Sequence, residues 1–382
     1  MRITALAALL LALPPATAQV VFTHALGTAT GQTGAGVAPV ADGYLIAAGS
    51  FDGATTTHRA RLVHCGTDGL PVSETALPIT GRVFVQGMAS GAGGLHFLCG
   101  SSFAPGALHH DGLLVRLGDD GSAHWTARPD VPGDQQYLGA AATDDGGAVV
   151  CGVAPVNGTA RPLACRFGPD GGLLWQQVLM DEAGGIARDV AVDPTGMVIT
   201  GRRVNPSGHT DTWMARLDLD GNTVWTTAVG GPAHEEGHAV VRSADGHFIS
   251  AGFTDSYGPV YNDSLRRRCV HLIKVDAATG DTLWTRTTGD TLRDRTALAI
   301  DMMPNGDLIV AGVRAQAPGS SQALAQRFTP QGSITWERQY QAGKEDRLWH
   351  VRALPVGFIA TGASFGMEGH KALLIRRDNL GE

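Results

Sequence analysis

Several features that identify common classes of protein are missing from this sequence. After Leu13, no apolar run is long enough to cross a membrane, and no stretch keeps the 3.6-residue apolar period of an amphipathic helix for long. No basic stripe with interleaved aromatic residues is present, so nucleic acid is not an expected partner. The formal net charge is −7. Because helical periodicity is lacking, an all-β protein is the expected class.

The first 18 residues have the pattern of a secretory signal peptide. Arg2 precedes an apolar run, Ile3 to Leu13, and Ala16-Thr17-Ala18 forms an A-x-A cleavage site. Cleavage after Ala18 predicts a mature chain of 382 − 18 = 364 residues in the periplasm, at the cell surface or outside the cell. No cysteine follows the cleavage site, so a lipid anchor is not expected.

Recognisable catalytic motifs are also missing. There is no G-x-S-x-G elbow, P-loop or C-x-x-C pair, so we expect no catalytic residue, no cofactor and no metal. Five cysteines allow two disulfides in an exported protein. However, Cys99 and Cys151 stand where other repeats have alanine or threonine, which predicts buried small side chains. A Cys151–Cys165 disulfide is the leading alternative.

The sequence does contain a long repeat. Seven glycines close strand-like runs at intervals of 51, 52, 49, 51, 60 and 50 residues. These beat glycines are Gly49, Gly100, Gly152, Gly201, Gly252, Gly312 and Gly362. Five tryptophans keep the same period: Trp125, Trp175, Trp225, Trp284 and Trp336. A period near 52 residues divides residues 19–382 into seven units, which predicts a single repeat domain.

Each unit is expected to contain four antiparallel strands, A to D. In the fourth unit, strand-like runs cover 186–192, 197–201, 213–217 and 224–228, with Asp/Asn/Gly turns between them. Seven such units predict an all-β, seven-bladed β-propeller. The first unit is preceded by a spare strand D, 20–26, whereas the last unit lacks one. We therefore expect this N-terminal strand to complete the last blade, a 1+3 closure.

The unit resembles the repeat of secreted bacterial propellers, D-G-x-x-x-W … G-G … D-G-G-x-x-x-x-G, which are related in appearance to quinoprotein-like and WD40-like propellers. The matching residues are Asp220-Gly221, Trp225, Gly230-Gly231, Asp245-Gly246 and Gly252. The resemblance implies an extracellular or cell-surface location and a binding or scaffold role, and it transfers no catalytic residues. The quinoprotein enzymes usually have eight blades and an adjacent cysteine pair, and this sequence has neither.

Many proteins with this repeat are exported by the type IX route and carry a C-terminal sorting domain. This sequence stops at Glu382, just after a strand C. The resemblance therefore leaves two expectations open, another export route or a truncated sequence.

One local motif satisfies a catalytic pattern. His234-Glu235-Glu236-Gly237-His238 reads H-E-x-x-H, which binds zinc when a helix places both histidines on one face. Gly230, Gly231 and Pro232 precede the motif, and Gly237 disfavours a helix. We expect a loop between strands D and A that carries no catalytic zinc.

Binding is expected on the face formed by loops B–C and D–A. Turns A–B and C–D are short and alike, and the up-and-down strand order places them on the opposite face. Unit five departs most, with 32 residues from Gly252 to Trp284 against 23 to 25 in units two, three, four and six. The candidate ligand-binding residues are His234, Glu235, His238, Asp255, Tyr257, Tyr261 and Asp263.

The expected function is a secreted, monomeric propeller that binds a protein or carbohydrate partner without catalysis. The alternative is a quinoprotein-like or hydrolytic enzyme with its site at the channel mouth, suggested by the uneven charge of the D–A loops. The strand-D tryptophans and one basic residue per strand C recur in nearly every unit, so we expect them to pack neighbouring units together. The basic residues are Arg61, Arg116, Arg166, Arg216, Lys274, Arg327 and Arg376.

Overall fold

The computed structural model describes residues 20–27, 31–53, 55–129, 133–179, 184–262, 265–366 and 369–382. The predicted signal peptide and Asp263 lie outside these ranges. All regular secondary structure in the described ranges is β-strand, which confirms the all-β prediction. A search of the same residues finds no apolar helix that could span a bilayer.

The strands are numbered in chain order and grouped into units of four. Strand β1 is Phe22–Leu26. Unit 1 contains β2 Gly31–Val40, β3 Gly43–Asp52, β4 Thr57–Gly66 and β5 Pro71–Ala76. Unit 2 contains β6 Arg82–Ser90, β7 His96–Phe103, β8 Asp111–Leu117 and β9 Ala123–Ala127. Unit 3 contains β10 Gln136–Ala142, β11 Ala148–Val156, β12 Thr159–Phe167 and β13 Leu173–Val178.

The remaining units follow the same order, with one addition. Unit 4 contains β14 Gly185–Asp193, β15 Gly196–Val204, β16 Thr210–Asp218 and β17 Thr223–Val229. Unit 5 contains β18 Glu235–Arg242, β19 Phe248–Thr254, β22 Cys269–Val275 and β23 Thr282–Thr288, with an added hairpin of β20 Val260–Asn262 and β21 Leu265–Arg266. Unit 6 contains β24 Arg295–Met302, β25 Leu308–Ala315, β26 Ser321–Phe328 and β27 Ile334–Tyr340. Unit 7 contains β28 Glu345–Ala353, β29 Phe358–Gly366 and β30 Gly369–Arg377.

Each of these units is an antiparallel meander in which consecutive strands pair, as in β14-β15-β16-β17. The sequence insertion in unit 5 forms the separate hairpin β20–β21 between the second and third strands of that sheet. Units 6 and 7 join into one eight-stranded sheet through a single parallel pairing, Ser321 with Glu345. The predicted four-strand module is therefore present.

The spare N-terminal strand lies against the last strand of unit 7. Strand β1 pairs antiparallel with β30, from Phe22 opposite Arg376 to Leu26 opposite Ala372. The Arg377 guanidinium donates to the Phe22 carbonyl at 2.6 Å and to the Thr23 hydroxyl at 2.5 Å. Strand β1 thus occupies the fourth position in the sheet of unit 7.

Neighbouring units pack through their sheet faces, and their first strands come together. Strand β2 contacts β6, the contacts continue through β10, β14, β18, β24 and β28, and β28 contacts β2. The apolar core lies between adjacent sheets. One cluster, for example, combines Val198 and Met214 of unit 4 with Val240 and Phe248 of unit 5.

The strand-D tryptophans join each unit to the next. Four indole N–H groups donate to a backbone carbonyl in the following C–D turn at 2.9 to 3.0 Å. The pairs are Trp125 with Pro169, Trp175 with Leu219, Trp225 with Ala277 and Trp336 with Asn379. A glycine in the same turn lies under the ring: a Cβ on Gly221 would be 3.0 Å from Trp175, and its φ of +86° also favours glycine.

The strand-C basic residues make the packing contacts that their recurrence predicted. Arg166 donates to the Leu219 carbonyl of the next unit at 2.7 Å and pairs with Asp145 of its own unit at 3.0 Å. Within unit 4, Arg216 pairs with Asp193 at 2.9 Å. These side chains therefore hold turns together and leave no repeated site for a ligand.

All five cysteines are buried and free. The alternative of a Cys151–Cys165 disulfide is therefore wrong, and the prediction of small buried fillers is confirmed. Burial raises the pKa of Cys99 and of Cys165 to about 12. A thiol with such a pKa stays protonated at neutral pH and is a poor nucleophile.

Candidate functional site: the central channel and its basic groove

The first strand of each unit carries a β-bulge at the same place. One residue in each is skipped by the pairing with the second strand: Ala35, Gln86, Leu138, Arg188, His238, Leu298 and Trp349. These bulge residues lie 13 or 14 positions before the beat glycine of their unit. A bulge leaves its extra residue unpaired and redirects the side chain, and here all seven line one cavity.

That cavity, called the channel below, has a volume of about 770 Å³ and is walled by the first strands of all seven units. Its chemistry changes from one unit to the next. Arg188 and His238 come from units 4 and 5, whereas Leu298 and Trp349 come from units 6 and 7. The channel is therefore a place where the repeat backbone carries different side chains, which a selective site requires.

The H-E-x-x-H segment lies mostly on strand β18, so the predicted loop is wrong. Its first histidine, His234, is exposed; its Nδ1 accepts the Thr210 N–H at 3.2 Å, and its ring packs edge-on against His209. The second, His238, lines the channel. Across the described ranges, no three or more His, Cys, Asp or Glu side chains are placed to hold a metal ion.

Glu235 anchors the start of the inserted segment. Its side chain is 0% exposed. The carboxylate accepts hydrogen bonds from the Gly231 N–H and the Thr254 hydroxyl, both at 2.8 Å, and from the Ser256 N–H at 3.2 Å. Because all three donors belong to the segments on either side of the channel mouth, Glu235 positions those segments and does not face a ligand.

His238 sits beside a charged cluster on the channel wall. The Glu236 carboxylate accepts from Arg188 Nε at 2.5 Å and from Arg202 Nη1 at 3.1 Å. Although burial opposes ionisation of Glu236, the charges of His238, Arg188 and Arg202 keep its pKa below the usual value. Burial lowers the pKa of His238 to about 4, so its imidazole is neutral at neutral pH.

The inserted hairpin brings three of the predicted residues to the loop face. Asp255 pairs with the Arg268 guanidinium through two hydrogen bonds of 2.8 Å. Tyr261 lies under the Arg267 guanidinium, 3.7 Å from the ring centroid. Tyr257 donates its hydroxyl proton to the Gly230 carbonyl at 2.5 Å, which ties the insertion to the D–A segment. Asp255 and Tyr261 therefore share one cavity, described next, and Tyr257 secures its neighbour.

A second cavity, of about 790 Å³, lies over units 5, 6 and 7 on the loop face. We call it the basic groove, because five arginines line it: Arg266, Arg267, Arg268, Arg293 and Arg347. Three acids also line it, Asp255, Asp294 and Glu345, so the local formal charge is 5 − 3 = +2 in a chain of net charge −7. Leu298 and Trp349 line both cavities, which makes the groove continuous with the channel.

Three groove arginines have acidic neighbours, and two do not. Arg268 pairs with Asp255 at 2.8 Å, Arg347 with Glu345 at 3.4 Å and Arg267 with Asp294 at 3.7 Å. For Arg266 and Arg293, both exposed, no carboxylate in the described part of the chain is within ion-pair distance. Their recorded side-chain hydrogen bonds go to backbone carbonyls of Gly258 and Leu292.

Two further groups bridge adjacent first strands at the position after the bulge. Asp189 accepts the Val240 N–H at 2.9 Å, and His350 Nδ1 accepts the Val37 N–H at 3.2 Å. Desolvation raises the pKa of Asp189 to about 6 and lowers that of His350 to about 3. His350 is therefore a neutral acceptor that links unit 7 to unit 1.

Trp349, Arg293 and Arg347 were not among the predicted ligand-binding residues. The D–A segments that hold the two arginines read as charged in the sequence, but charge alone does not show that segments converge. Trp349 gives the clearer signal. It falls outside the strand-D period of the other tryptophans, at the bulge position 13 residues before Gly362.

No family model and no curated protein match this chain. Among solved structures, it is similar to the WD40 β-propeller domain of Doa1, with a TM-score of 0.54 and 16% identity over 93% of this chain and 97% of that one. It is also similar to a puromycin hydrolase S511A mutant complexed with PGG, with a TM-score of 0.54 and 16% identity. That match covers 90% of this chain but only 52% of the hydrolase.

A putative 6-phosphogluconolactonase from Bacteroides uniformis ATCC 8492 is a more distant match, with a TM-score of 0.48 and 13% identity over 93% of this chain and 94% of that one. At these identities the likeness concerns the fold alone. The four-stranded antiparallel sheets fit propeller blades, and the fold is that of the WD40-like β-propellers.

Proposed function

We propose that this protein is a secreted, seven-bladed β-propeller, closed 1+3 by β1, that binds a partner through the channel mouth and the basic groove. The number of blades and the closure are supported by the seven four-stranded groups, the pairing of β1 with β30 and the contact of β28 with β2. Secretion is supported by the signal-peptide pattern of residues 1–18.

The observation that carries the binding role is the convergence of Trp349 with several arginines in one concave site. Trp349 is 38% exposed, although a large aromatic side chain of a first strand would ordinarily be buried. Exposed tryptophan and arginine in a cavity are the residue types that dominate recognition sites. The groove volume, about 790 Å³, falls within the range of about 300 to 1,000 Å³ that is typical of ligand sites.

The enzyme alternative receives less support from the side chains at the mouth. The Cys99 and Cys165 thiols are kept protonated by burial, and Glu235 is engaged by three donors. His350 is held as an acceptor for the neighbouring unit. One structural neighbour is named a hydrolase, but that likeness concerns the fold and extends over about half of its chain.

The test is a binding screen of the mature chain, 19–382, on a glycan array and a peptide array. A Trp349→Ala, Arg347→Gln double variant should lose about tenfold or more of the affinity for any ligand found. The matched control is Arg286→Gln, which removes the same charge from the exposed outer strand β23. Undiminished binding by the double variant would place the site elsewhere on the molecule.

A further inference from the structure

The charge of the basic groove is opposite to that of the molecule. Its lining carries +2 against −7 for the whole chain, so the groove attracts anions that the rest of the surface repels. The arginines come from three separate segments, the inserted hairpin, the D–A segment before β24 and the start of β28. An anionic ligand lying in the groove would therefore meet guanidinium groups along its length.

Several guanidinium donors in the groove are not used by the protein. Arg293 is exposed, and its one recorded side-chain bond is a 3.4 Å contact with the Leu292 carbonyl. Arg347 Nε is buried and has no partner among the described residues, and Arg347 Nη2 reaches Glu345 only at 3.4 Å. A guanidinium offers a planar pair of donors that fits a carboxylate or a sulfate in two-point contact.

Trp349 adds a flat apolar surface beside these donors. It lies two residues after Arg347 on β28, and both side chains line the groove. An indole face next to a row of cations suits a ligand that is apolar on one face and anionic at its edge. The C–H face of a pyranose ring with a carboxylate or sulfate substituent has this combination.

The shape of the groove favours a sugar chain over a folded protein. A stable protein interface buries about 800 Å² per partner around an apolar core. Here the exposed large apolar side chains that line the groove are Trp349 and Tyr261, and the remaining wall is mostly charged and hydroxyl-bearing, with Ser320 and Ser321 at its edge. A narrow polymer that is rich in hydroxyl groups can hydrogen-bond to such a wall throughout.

We infer that the basic groove binds an acidic carbohydrate, a chain of uronic acids or sulfated sugars, with one pyranose stacked on Trp349 and its anionic groups on Arg293 and Arg347. This inference rests on the binding function proposed above and specifies its ligand class. An acidic peptide offers the same negative charge but lacks the pyranose face, so the contribution of Trp349 distinguishes the two ligands.

The experiment is isothermal titration of the mature chain with polygalacturonate and chondroitin sulfate, and with dextran and polyglutamate as the neutral and peptide comparators. We expect the acidic polysaccharides to bind, dextran to bind weakly, and affinity to fall as salt is raised. Arg293→Gln with Arg347→Gln should weaken binding about tenfold or more, and so should Trp349→Ala, with recovery in Trp349→Phe. Arg286→Gln should bind like the wild type.

The outcomes separate the inference from the proposed function. Polyglutamate binding as tightly as the polysaccharides, with no effect of Trp349→Ala, would overturn the carbohydrate and leave the groove as a peptide site. Preferential binding of dextran would overturn the anionic class. If no polysaccharide binds the wild type, the inference is wrong. If the array ligands also ignore every groove variant, the proposed function is wrong as well. Unchanged circular dichroism of each variant excludes misfolding.

Discussion

The C–D turns and the first-strand bulges each recur once per unit, yet they constrain sequence differently. In the turns, a glycine with positive φ lies against an aromatic ring of the preceding unit, as Gly221 does under Trp175 and Gly69 under Phe22. At the bulges the backbone repeats, but the residue changes from Ala35 to Trp349. A turn that another unit packs upon fixes its residue type, whereas a bulge facing an open channel leaves it free. The fold is maintained in the turns, and the site varies at the bulges.

The largest expected effect concerns the place where the repeated contact is made by a strand from the other end of the chain. Deleting 20–26 removes Phe22 and Leu26, both buried, and exposes the edge of β30. We expect a loss of about 5 kcal/mol or more in unfolding free energy, or aggregation. Deleting only the exposed Val20 and Val21 is the control. An unchanged melting temperature for the longer deletion would refute the 1+3 closure.

A second test asks whether the variable side of the molecule contains fixed positions. Glu235→Ala would leave the Gly231 and Ser256 N–H groups and the Thr254 hydroxyl without their acceptor. We expect a cost of about 3 kcal/mol in urea denaturation, because buried donors that lose a charged partner are expensive. Asp144→Ala, in an exposed turn, should be nearly neutral. Equal stability of the two variants would show that Glu235 does not hold the insertion.

The third prediction concerns pH and the bridge between units 4 and 5. The pKa of Asp189 is about 6 in the folded protein against 3.8 for an ordinary aspartate, so folding favours the protonated form. Its stabilising contribution is complete below pH 3.8 and is lost as pH rises through about 6.

An asparagine side chain at this position cannot ionise, yet its amide oxygen can still accept the Val240 N–H. We therefore expect Asp189→Asn to be more stable than wild type by roughly 1 to 3 kcal/mol near pH 7.5, and by much less near pH 4. Urea denaturation at both pH values measures this difference. A difference that does not change with pH would contradict the raised pKa.

A smaller effect separates two of the repeated tryptophans. Trp225→Phe removes the N–H that donates to the Ala277 carbonyl, at a cost of about 1 kcal/mol. Trp175→Phe should cost less, since Arg166 also donates to the Leu219 carbonyl, at 2.7 Å. Thermal unfolding of both variants gives the comparison. A larger loss for Trp175→Phe would mean that the arginine does not support the turn.

The smallest expected effect is on metal content. We predict that the purified protein holds no stoichiometric zinc and that His238→Ala leaves both metal content and fold unchanged. The reason is that a strand separates His234, on the loop face, from His238, on the channel wall. Elemental analysis of the two proteins is sufficient. One zinc per chain, lost in the variant, would restore the metal-site interpretation.

The strand modules were predictable because they depend on local patterns. Alternating apolar runs and Asp-Gly turns define strands without knowledge of the neighbours, and the spacing to Gly49 placed Phe22 at the tryptophan position. The H-E-x-x-H segment was assigned to a loop because glycines weaken regular structure. In the fold, Gly237 is needed for close packing within a strand: a Cβ there would lie 2.2 Å from the Thr200 hydroxyl oxygen.

The site was less predictable because it depends on which distant residues meet. Arg267, Arg293 and Arg347 belong to three segments that approach one another only after the units have packed. The bulges were also hidden, since a one-residue shift in pairing leaves no mark in composition. Only the displaced position of Trp349 relative to its beat glycine carried a readable trace of the channel.

The pairing of β1 with β30 also constrains how the chain folds. Thr23 and Arg377, which are hydrogen-bonded, are 354 residues apart in sequence. The entropic cost of joining such distant segments grows with the logarithm of their separation, and contacts of this kind form late. A newly made chain therefore carries its opening strand without a partner until its closing strand has been synthesised. The last sheet is completed only after translation, and the chain stays unfinished during the interval in which the proposed export would take place.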